Sequence, residues 1–469
     1  MSLNRASGRL ASSANCLRIS RTCPQLLRPA RRSLLSQHVS QQRRPAVRPA
    51  APLRPGIAGQ PARYASSKPT EGSEPAKTPL YDLHAQHGAK FVPFGGYSMP
   101  VQYSDLSVGD SHNWTREKAS LFDVSHMVQH HLTGPGSTGF LSQITPSSVS
   151  TLETHHSTLS ALLHPGTGGI VDDTIITRLG PEAFYIVTNA GCREKDTRYL
   201  ADQLSEWHQS GGEKVDWQVL KGQGLVALQG PLAPSILQDV LFEPQAVDLQ
   251  KMYFGQSKYL KLRLPSGEPS VEVLASRGGY TGEDGFEISI PGPQTTEITE
   301  LLLKSAGEDK LRLAGLGARD SLRLEAGMCL YGHDLDDSTT PVEAGLSWII
   351  GKDRRTEGGF HGSEVILQQL KPKKEGGGVS RRRIGLIVEG APAREGAEIV
   401  NKGEKVGKVT SGCPSPTLKK NIAMGYIKQG LNKAGTEVEV VVRGKNRKAV
   451  VSKMPFVPSK YWKGGASPA

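Results

Sequence analysis

A chain of 469 residues is long enough for two or three domains with hydrophobic cores. Its net charge of +12 is concentrated at one end, because residues 1–70 hold twelve Arg, one Lys and neither Asp nor Glu. The rest of the chain has a net charge of −1, which gives no bulk electrostatic attraction for nucleic acid. No apolar run approaches the ~20 residues of a membrane helix. Neither nucleic acid nor membrane is therefore expected as a partner.

The N-terminal segment has the composition of a mitochondrial transit peptide, being rich in Arg, Ser and Pro and free of acids. We expect residues 1–65 to be a disordered presequence and the mature protein to work in the mitochondrial matrix. The alternative is a basic tail that stays attached. The five cysteines form no Cys-x-x-Cys pair, which fits a reducing compartment and argues against a disulfide framework.

Apolar periodicity and turn residues predict alternating helices and strands after about residue 80. The predicted strands are 90–97, 128–132, 170–176, 183–188, 225–229, 259–264, 271–274 and 286–290. The predicted helices are 110–120, 194–208, 235–241 and 317–326, the last closed by Gly327.

Two carboxylates follow the turn Gly168-Gly169 at the start of a predicted strand. Asp172 and Asp173 are adjacent, so their side chains point to opposite faces and cannot act as a paired dyad. Both can simply support the turn, which the pattern alone favours. The other interpretation gives one of them a cavity to face.

A second informative stretch has four glycines in residues 278–285, with the strand carboxylate Glu287 behind it. Its spacing fits no phosphate-binding glycine motif. Alternation places Glu287 on the face shared with Ser289, and a solvent-facing acid remains the plain alternative. On the predicted helix, Arg319 can be a functional group or a solvated ion pair.

No metal site is expected. The pairs His130-His131 and His155-His156 are adjacent on predicted strands, point apart and have no acidic cluster nearby.

Residues 371–380 resemble a linker, and short β-like segments follow it. Their spacing predicts a small all-β barrel or sandwich over residues 380–462, with a docked aromatic tail. Residues 78–370 would form the larger body.

Taken together, these stretches resemble the aminomethyltransferases of the glycine cleavage system, its T-proteins. The resemblance covers about residues 78–461 and rests on nine motifs in order, which begin at Thr78, Leu121, Gly168, Asn189, Gly279, Ala318, Thr340, Thr410 and Val451.

The resemblance implies an α+β fold: a three-lobed cloverleaf with a folate-binding body of two lobes and a C-terminal β-barrel. It implies transfer of a methylene group from the aminomethylated dihydrolipoyl arm of H-protein to tetrahydrofolate, with release of ammonia. The product would be 5,10-methylenetetrahydrofolate. Tetrahydrofolate would be the co-substrate, and the glycine cleavage H-, P- and L-proteins the partners.

By the same resemblance Asp173 is the catalytic residue, since a fixed anion stabilises the positive charge that develops on the one-carbon unit and the folate nitrogen. Glu287 would accept two N–H bonds from the pterin ring. The other folate-binding or substrate-binding residues implied are Arg319, Tyr461, Asn189, Val187, Tyr185, Met127 and Trp348.

Three alternatives compete with this function. An iron–sulfur assembly paralogue would carry a cysteine motif where this chain has Gly279-Tyr280-Thr281-Gly282. The folate half of a dimethylglycine or sarcosine dehydrogenase would need a flavin domain, for which residues 1–77 leave no room. A scaffold protein with an empty folate pocket would fail to bind tetrahydrofolate.

Overall fold

The computed structural model describes residues 74–465, and the predicted presequence lies outside this range. The nine α-helices of this range are α1 Tyr81–Gln86, α2 Val108–Glu117, α3 Ser137–Ile144, α4 Arg193–Gln209, α5 Ala233–Asp239, α6 Thr295–Ala306, α7 Leu316–Glu325, α8 Lys352–Glu357 and α9 Ser363–Leu370. Among them, none is long and apolar enough to cross a membrane.

Nineteen strands accompany the helices in the same range. They are β1 Ala89–Phe94, β2 Tyr97–Tyr103, β3 Ala119–Asp123, β4 Val128–Thr133, β5 Ser157–Leu163, β6 Ile170–Gly180, β7 Ala183–Thr188, β8 Asp216–Val219, β9 Gly224–Gln229, β10 Ser257–Leu260, β11 Val273–Arg277, β12 Gly285–Ile290, β13 Leu311–Leu313, β14 Arg381–Val388, β15 Glu398–Asn401, β16 Glu404–Ser415, β17 Lys420–Lys428, β18 Glu437–Val442 and β19 Lys445–Ser452. The predicted strand at 259–264 is shorter than expected and ends at Leu260.

The first lobe is a five-stranded antiparallel sheet in the order β5-β6-β7-β4-β8. One face packs on α3 and α4 through Ile176, Phe184 and Ile186 against Phe140 and Tyr199. Strand alternation puts every second residue on the opposite face, which is turned toward the second lobe.

The second lobe is a six-stranded sheet in the order β10-β11-β12-β9-β3-β13, in which only β13 and β3 run parallel. Its outer face buries Phe286, Ile288 and Ile290 with Ile298 and Leu302 of α6. A separate apolar cluster joins the two lobes and includes Tyr185, Val187, Ala227 and Ala318. This contact places β7, β9 and α7 side by side.

The third lobe is a closed six-stranded barrel in the order β14-β17-β16-β15-β18-β19. The predicted α+β class with a small C-terminal barrel is thereby confirmed.

A buried polar knot joins the barrel to α7. The Glu325 carboxylate accepts hydrogen bonds from Arg116 (2.8 Å) and from the hydroxyls of Ser415 and Thr417, and it contacts His112 at 3.1 Å. These bonds hold the pKa of Glu325 at about 2 although its burial acts in the opposite direction. The knot fixes the barrel against the end of the helix that carries Arg319.

The aromatic tail docks on the body, as expected. The backbone N–H of Phe456 donates to the Glu325 carbonyl at 2.8 Å, and that of Lys460 donates to the Gly282 carbonyl at 2.8 Å. The indole N–H of Trp462 donates to the Gln250 carbonyl at 2.8 Å. The tail thus runs from the barrel to the glycine-rich loop of the second lobe.

The arginines at the start of the barrel are engaged within the chain. Arg381 pairs with Glu343 at 3.2 Å. Arg383 donates to the carbonyls of Ala344 (2.7 Å) and Gly327 (3.0 Å). These bonds tie β14 to the segment that follows α7.

Candidate functional site

The turn before β6 requires its glycines. Gly168 has a φ of +67°, and a Cβ on Gly169 would lie 1.9 Å from the Asp337 carbonyl oxygen. Only glycine allows this close approach of two backbone segments. The turn sets the start of β6, and with it the direction of Asp172 and Asp173.

Asp172 and Asp173 point to opposite faces, as the alternation predicted. Asp172 is fully buried on the helix-covered face, whereas Asp173 is only partly buried. The register pairs Ile175 with Val187 and Thr177 with Tyr185, so Asp173 shares its face with both of these predicted site residues. This is the face that meets the second lobe.

Asn189 connects the two carboxylates. Its backbone N–H and its amide Nδ2 donate to the two oxygens of Asp172, at 2.8 and 2.9 Å. The same Nδ2 donates to Asp173 Oδ1 at 2.9 Å. The predicted site residue Asn189 therefore orients the Asp173 carboxylate, and Asp172 anchors Asn189.

The surroundings of Asp173 favour its protonated form. Burial and then the charge of Asp172 raise its pKa from 3.8 to about 7, while the hydrogen bond from Asn189 acts against the shift. A carboxyl group with a pKa near 7 can hold or release a proton at physiological pH, which is the property expected of an acid–base residue.

Glu287 of β12 and Arg319 of α7 interact electrostatically. Burial raises the pKa of the Glu287 carboxyl, and the positive charge of Arg319 lowers it in part. Arg319 Nη1 is buried without a hydrogen-bond partner in residues 74–465, and its guanidinium lies 4.8 Å from the Tyr280 ring centroid. The solvated ion pair considered for Arg319 is therefore not formed. An unpaired buried N–H is costly, which suits a group that awaits a ligand acceptor.

Tyr280 interacts with Arg319 and with Asp173, and the sequence interpretation did not assign it a role. Burial raises the pKa of its hydroxyl, while the charges of Asp173 and Arg319 both act on it. Its hydroxyl donates to the Cys329 carbonyl. The sequence signal that could have identified it is its place in the glycine-rich loop. In the structure, a Cβ on Gly279 (φ +150°) would overlap the Gln229 side chain, so this loop requires its glycine.

A polar chain links the two sheets behind this face. The Tyr185 hydroxyl donates to Gln129 Oε1 at 2.8 Å, and the Ser289 hydroxyl donates to the same oxygen at 2.6 Å. Ser289 and Glu287 share one face of β12, as predicted from their spacing. These hydrogen bonds hold the face bearing Glu287 against the face bearing Asp173.

A cavity of about 510 Å³ opens beside this region. Arg319 and Tyr280 line it, together with Asp320, Arg323 and residues of the barrel such as Ser411. Asp173 and Glu287 are not among its lining residues. A volume of this size is within the range of small-molecule sites.

The remaining predicted residues lie in different surroundings. Met127 is partly buried and packs on the apolar cluster that joins the two lobes. Tyr461 stacks on Phe254 with ring centroids 4.2 Å apart. Trp348 is 62% exposed on a short helical turn. The predicted folate-binding or substrate-binding roles of Met127, Tyr461 and Trp348 stay predictions, and none of the contacts described within residues 74–465 joins Tyr461 or Trp348 to Asp173 or Glu287.

Comparison with known proteins identifies the fold and its family. The family profile GCVT N-terminal domain matches residues 80–354, and the Glycine cleavage T-protein C-terminal barrel domain matches residues 381–458. A solved structure, the glycine cleavage system aminomethyltransferase T from Bartonella henselae, superposes with a TM-score of 0.73 at 37% identity. It covers 83% of this chain and 100% of its own.

Curated relatives agree with this match. The chain is 51% identical to a probable mitochondrial aminomethyltransferase of Schizosaccharomyces pombe, over 82% of this chain and 94% of the relative. It is 48% identical to the mitochondrial aminomethyltransferase of Pisum sativum (83% and 91% covered) and 47% identical to that of Homo sapiens (82% and 91% covered). The chain therefore belongs to the aminomethyltransferase family of the glycine cleavage system, the T-proteins, as its motifs predicted.

Proposed function

We propose that Asp173 is the catalytic residue of this mitochondrial aminomethyltransferase and that Glu287 and Arg319 bind the folate co-substrate. The observation that carries the proposal is that β6 presents Asp173 and β12 presents Glu287 from two sheets held together by Tyr185, Gln129 and Ser289. Tyr280 lies within reach of the charges of both Asp173 and Arg319.

The folate donor and acceptor groups match the site. Tetrahydrofolate supplies the nitrogen nucleophiles that accept the one-carbon unit. Its aminopyrimidine edge offers N–H donors, for which the Glu287 carboxylate is a suitable acceptor. The orphaned Nη1 of Arg319 can donate to a carbonyl or carboxylate of the same ligand. Val187, Tyr185 and Met127 supply apolar surface for a flat ring.

Asp173 has two tasks in this proposal. As an anion it stabilises the positive charge that develops on the aminomethyl carbon as ammonia leaves. As a base it takes the proton that the attacking folate nitrogen loses. Asn189 holds Oδ1 at 2.9 Å and so fixes the direction in which the free oxygen points.

The proposed substrate is the aminomethylated dihydrolipoyl arm of the glycine cleavage H-protein, and the proposed products are 5,10-methylenetetrahydrofolate, ammonia and dihydrolipoyl H-protein. The P- and L-proteins of the same system are proposed partners. Family membership supports this proposal through the glycine cleavage system itself.

The test measures ammonia and methylenetetrahydrofolate formed from aminomethylated H-protein by the purified chain. Asp173→Asn should bind tetrahydrofolate yet lose most transfer activity, while Asp172→Asn should lose less. Equal activity of Asp173→Asn and the parent would overturn the assignment. Failure of the parent to bind tetrahydrofolate would favour the scaffold alternative.

A further inference from the structure

A second buried carboxyl group lies close to that of Asp172 on β6. Asp196 lies in the first turn of α4 and, like Asp172, has no exposed surface. One oxygen of each carboxyl and the sulfur of Cys192 lie within 4.8 Å of one another. Two carboxylates cannot both be charged at this separation without compensation, because their repulsion adds to the cost of burial.

Asp172 is the better supported anion of the two. Both of its oxygens accept N–H bonds from Asn189, at 2.8 and 2.9 Å. Burial raises the pKa of the Cys192 thiol, which therefore stays neutral beside Asp172. Burial raises the pKa of the Asp172 carboxyl, and the two N–H donors of Asn189 act against that shift by favouring the charged form.

Asp196 has the opposite surroundings. Neither of its oxygens has a conventional hydrogen-bond donor within bonding distance in residues 74–465. Burial, followed by the charge of Asp172, raises its pKa well above the usual range, and the opposing effects of Lys195 and Thr188 are smaller. A buried carboxylate without donors is costly, whereas a carboxylic acid beside a carboxylate has an acceptor for its proton.

The nearest cation is already engaged elsewhere. Lys195 Nζ donates to the Tyr331 hydroxyl at 2.5 Å and lies 3.4 Å from both oxygens of Asp337. Asp337 also contacts His164 at 2.8 Å. The charged and titratable groups that interact with the pair or with Asp173 are Lys195, Cys192, Tyr331, Asp334 and Tyr280.

We infer that Asp196 is kept as a neutral carboxylic acid that donates its proton to Asp172, and that the pair positions Asn189 and Asp173. The kinetic consequence of this inference rests on the catalytic role proposed for Asp173. The proton on Asp196 can be observed independently of that role. The hydrogen-bond chain runs from Asp196 to Asp172, which accepts from Asn189, which in turn donates to Asp173. Burial is the main cause of the raised pKa of Asp173, and the negative charge of Asp172 adds to it.

The direct test is infrared difference spectroscopy of the full purified chain at pH 8.5, parent minus Asp196→Asn. A carboxylic-acid carbonyl band, shifted by deuterium exchange, should be present in the parent and absent from the variant. Absence of any such band in the parent would overturn the inference, whatever the role of Asp173 proves to be. Elemental analysis of the same samples tests the alternative that Asp172, Cys192 and Asp196 bind a metal ion. A stoichiometric metal would also overturn the inference.

The kinetic test compares two variants. Asp196→Asn keeps a neutral donor toward Asp172, so kcat/KM should stay within about threefold of the parent with an unmoved acid limb. Asp196→Ala removes the donor, which raises the pKa of Asp172. Asp172 is then neutral in a larger fraction of the molecules and raises the pKa of Asp173 less, so the acid limb should move to lower pH. A loss of kcat with an unmoved limb in Asp196→Ala, or equal losses in both variants, would show a packing role only. If Asp196→Ala does not fold, the infrared result on Asp196→Asn decides.

Discussion

Replacing Asp173 by Asn should make the protein more stable at alkaline pH while abolishing most transfer. The pKa of this carboxyl is about 7 in the folded chain, against an ordinary value of 3.8 for an aspartate side chain. A raised folded pKa means that the folded state holds the proton more tightly than the unfolded state. Stability from this group is therefore full below about pH 4, falls as pH rises and is lost above about pH 7.

The magnitude follows from the size of the shift. One pKa unit corresponds to about 1.36 kcal/mol, so about three units give up to about 4 kcal/mol of destabilisation above pH 7. Asn carries no charge, and its amide oxygen can still accept the bond that Asn189 donates to Oδ1. The variant should therefore gain most of this free energy at pH 8 and little at pH 4.5.

The assay is urea unfolding followed by circular dichroism at both pH values, with the midpoint of the variant compared with that of the parent. Asp216→Asn is the matched control, because that side chain is 60% exposed and should change neither midpoint measurably. A midpoint for Asp173→Asn equal to or below the parent at pH 8 would refute the electrostatic argument. The result would show that burial costs the Asp173 carboxylate little.

Further predictions concern activity, the folate contact, the barrel and the presequence. In the parent, kcat/KM should rise with pH through an apparent pKa near 7, the value of Asp173, and this rise should be absent from Asp173→Asn. A flat pH profile of the parent from pH 6 to 8 would contradict this. Glu287→Gln should weaken tetrahydrofolate binding by about tenfold to a hundredfold in titration calorimetry, since hydrogen bonds to a charged group are worth about 1.5–3 kcal/mol; the exposed acid substitution Glu272→Gln should not. Glu325→Gln should lower the unfolding midpoint at pH 7 but not below about pH 2, because the pKa of Glu325 is depressed to about 2 and its stabilisation is lost as pH falls through that value. Removal of residues 1–65 should abolish import into isolated mitochondria, and retained import would show that the targeting signal lies elsewhere in the chain.

The local sequence pattern was enough to predict which faces of the strands carry the site residues. The alternation rule placed Asp172 and Asp173 on opposite faces and Glu287 beside Ser289, and the structure has both arrangements. The same rule could not say which aspartate faces the second lobe, because a single strand does not reveal what covers each of its sides. That choice depends on α4, which packs on the Asp172 face.

Other contacts depend on residues far apart in the chain. The bond from Asn189 to both aspartates needs the register of β6 and β7, and the contact of Arg319 with Tyr280 needs α7 to lie against the glycine-rich loop. Asp196 illustrates the limit best, since its spacing on α4 gives no hint of a partner in β6. Its neighbour in space is about twenty residues away in sequence and on a different element.

By itself, the sequence determined the family, the α+β class, the C-terminal barrel and the strand faces, because these depend on local periodicity and on motifs in order. Only the tertiary structure decided that Asp173 is the partly buried carboxyl with a raised pKa, that Tyr280 interacts with both Asp173 and Arg319, and that Asp172 shares its burial with Asp196. The physical reason is that burial and electrostatic coupling depend on distances across elements. The packing of two sheets and one helix sets these distances.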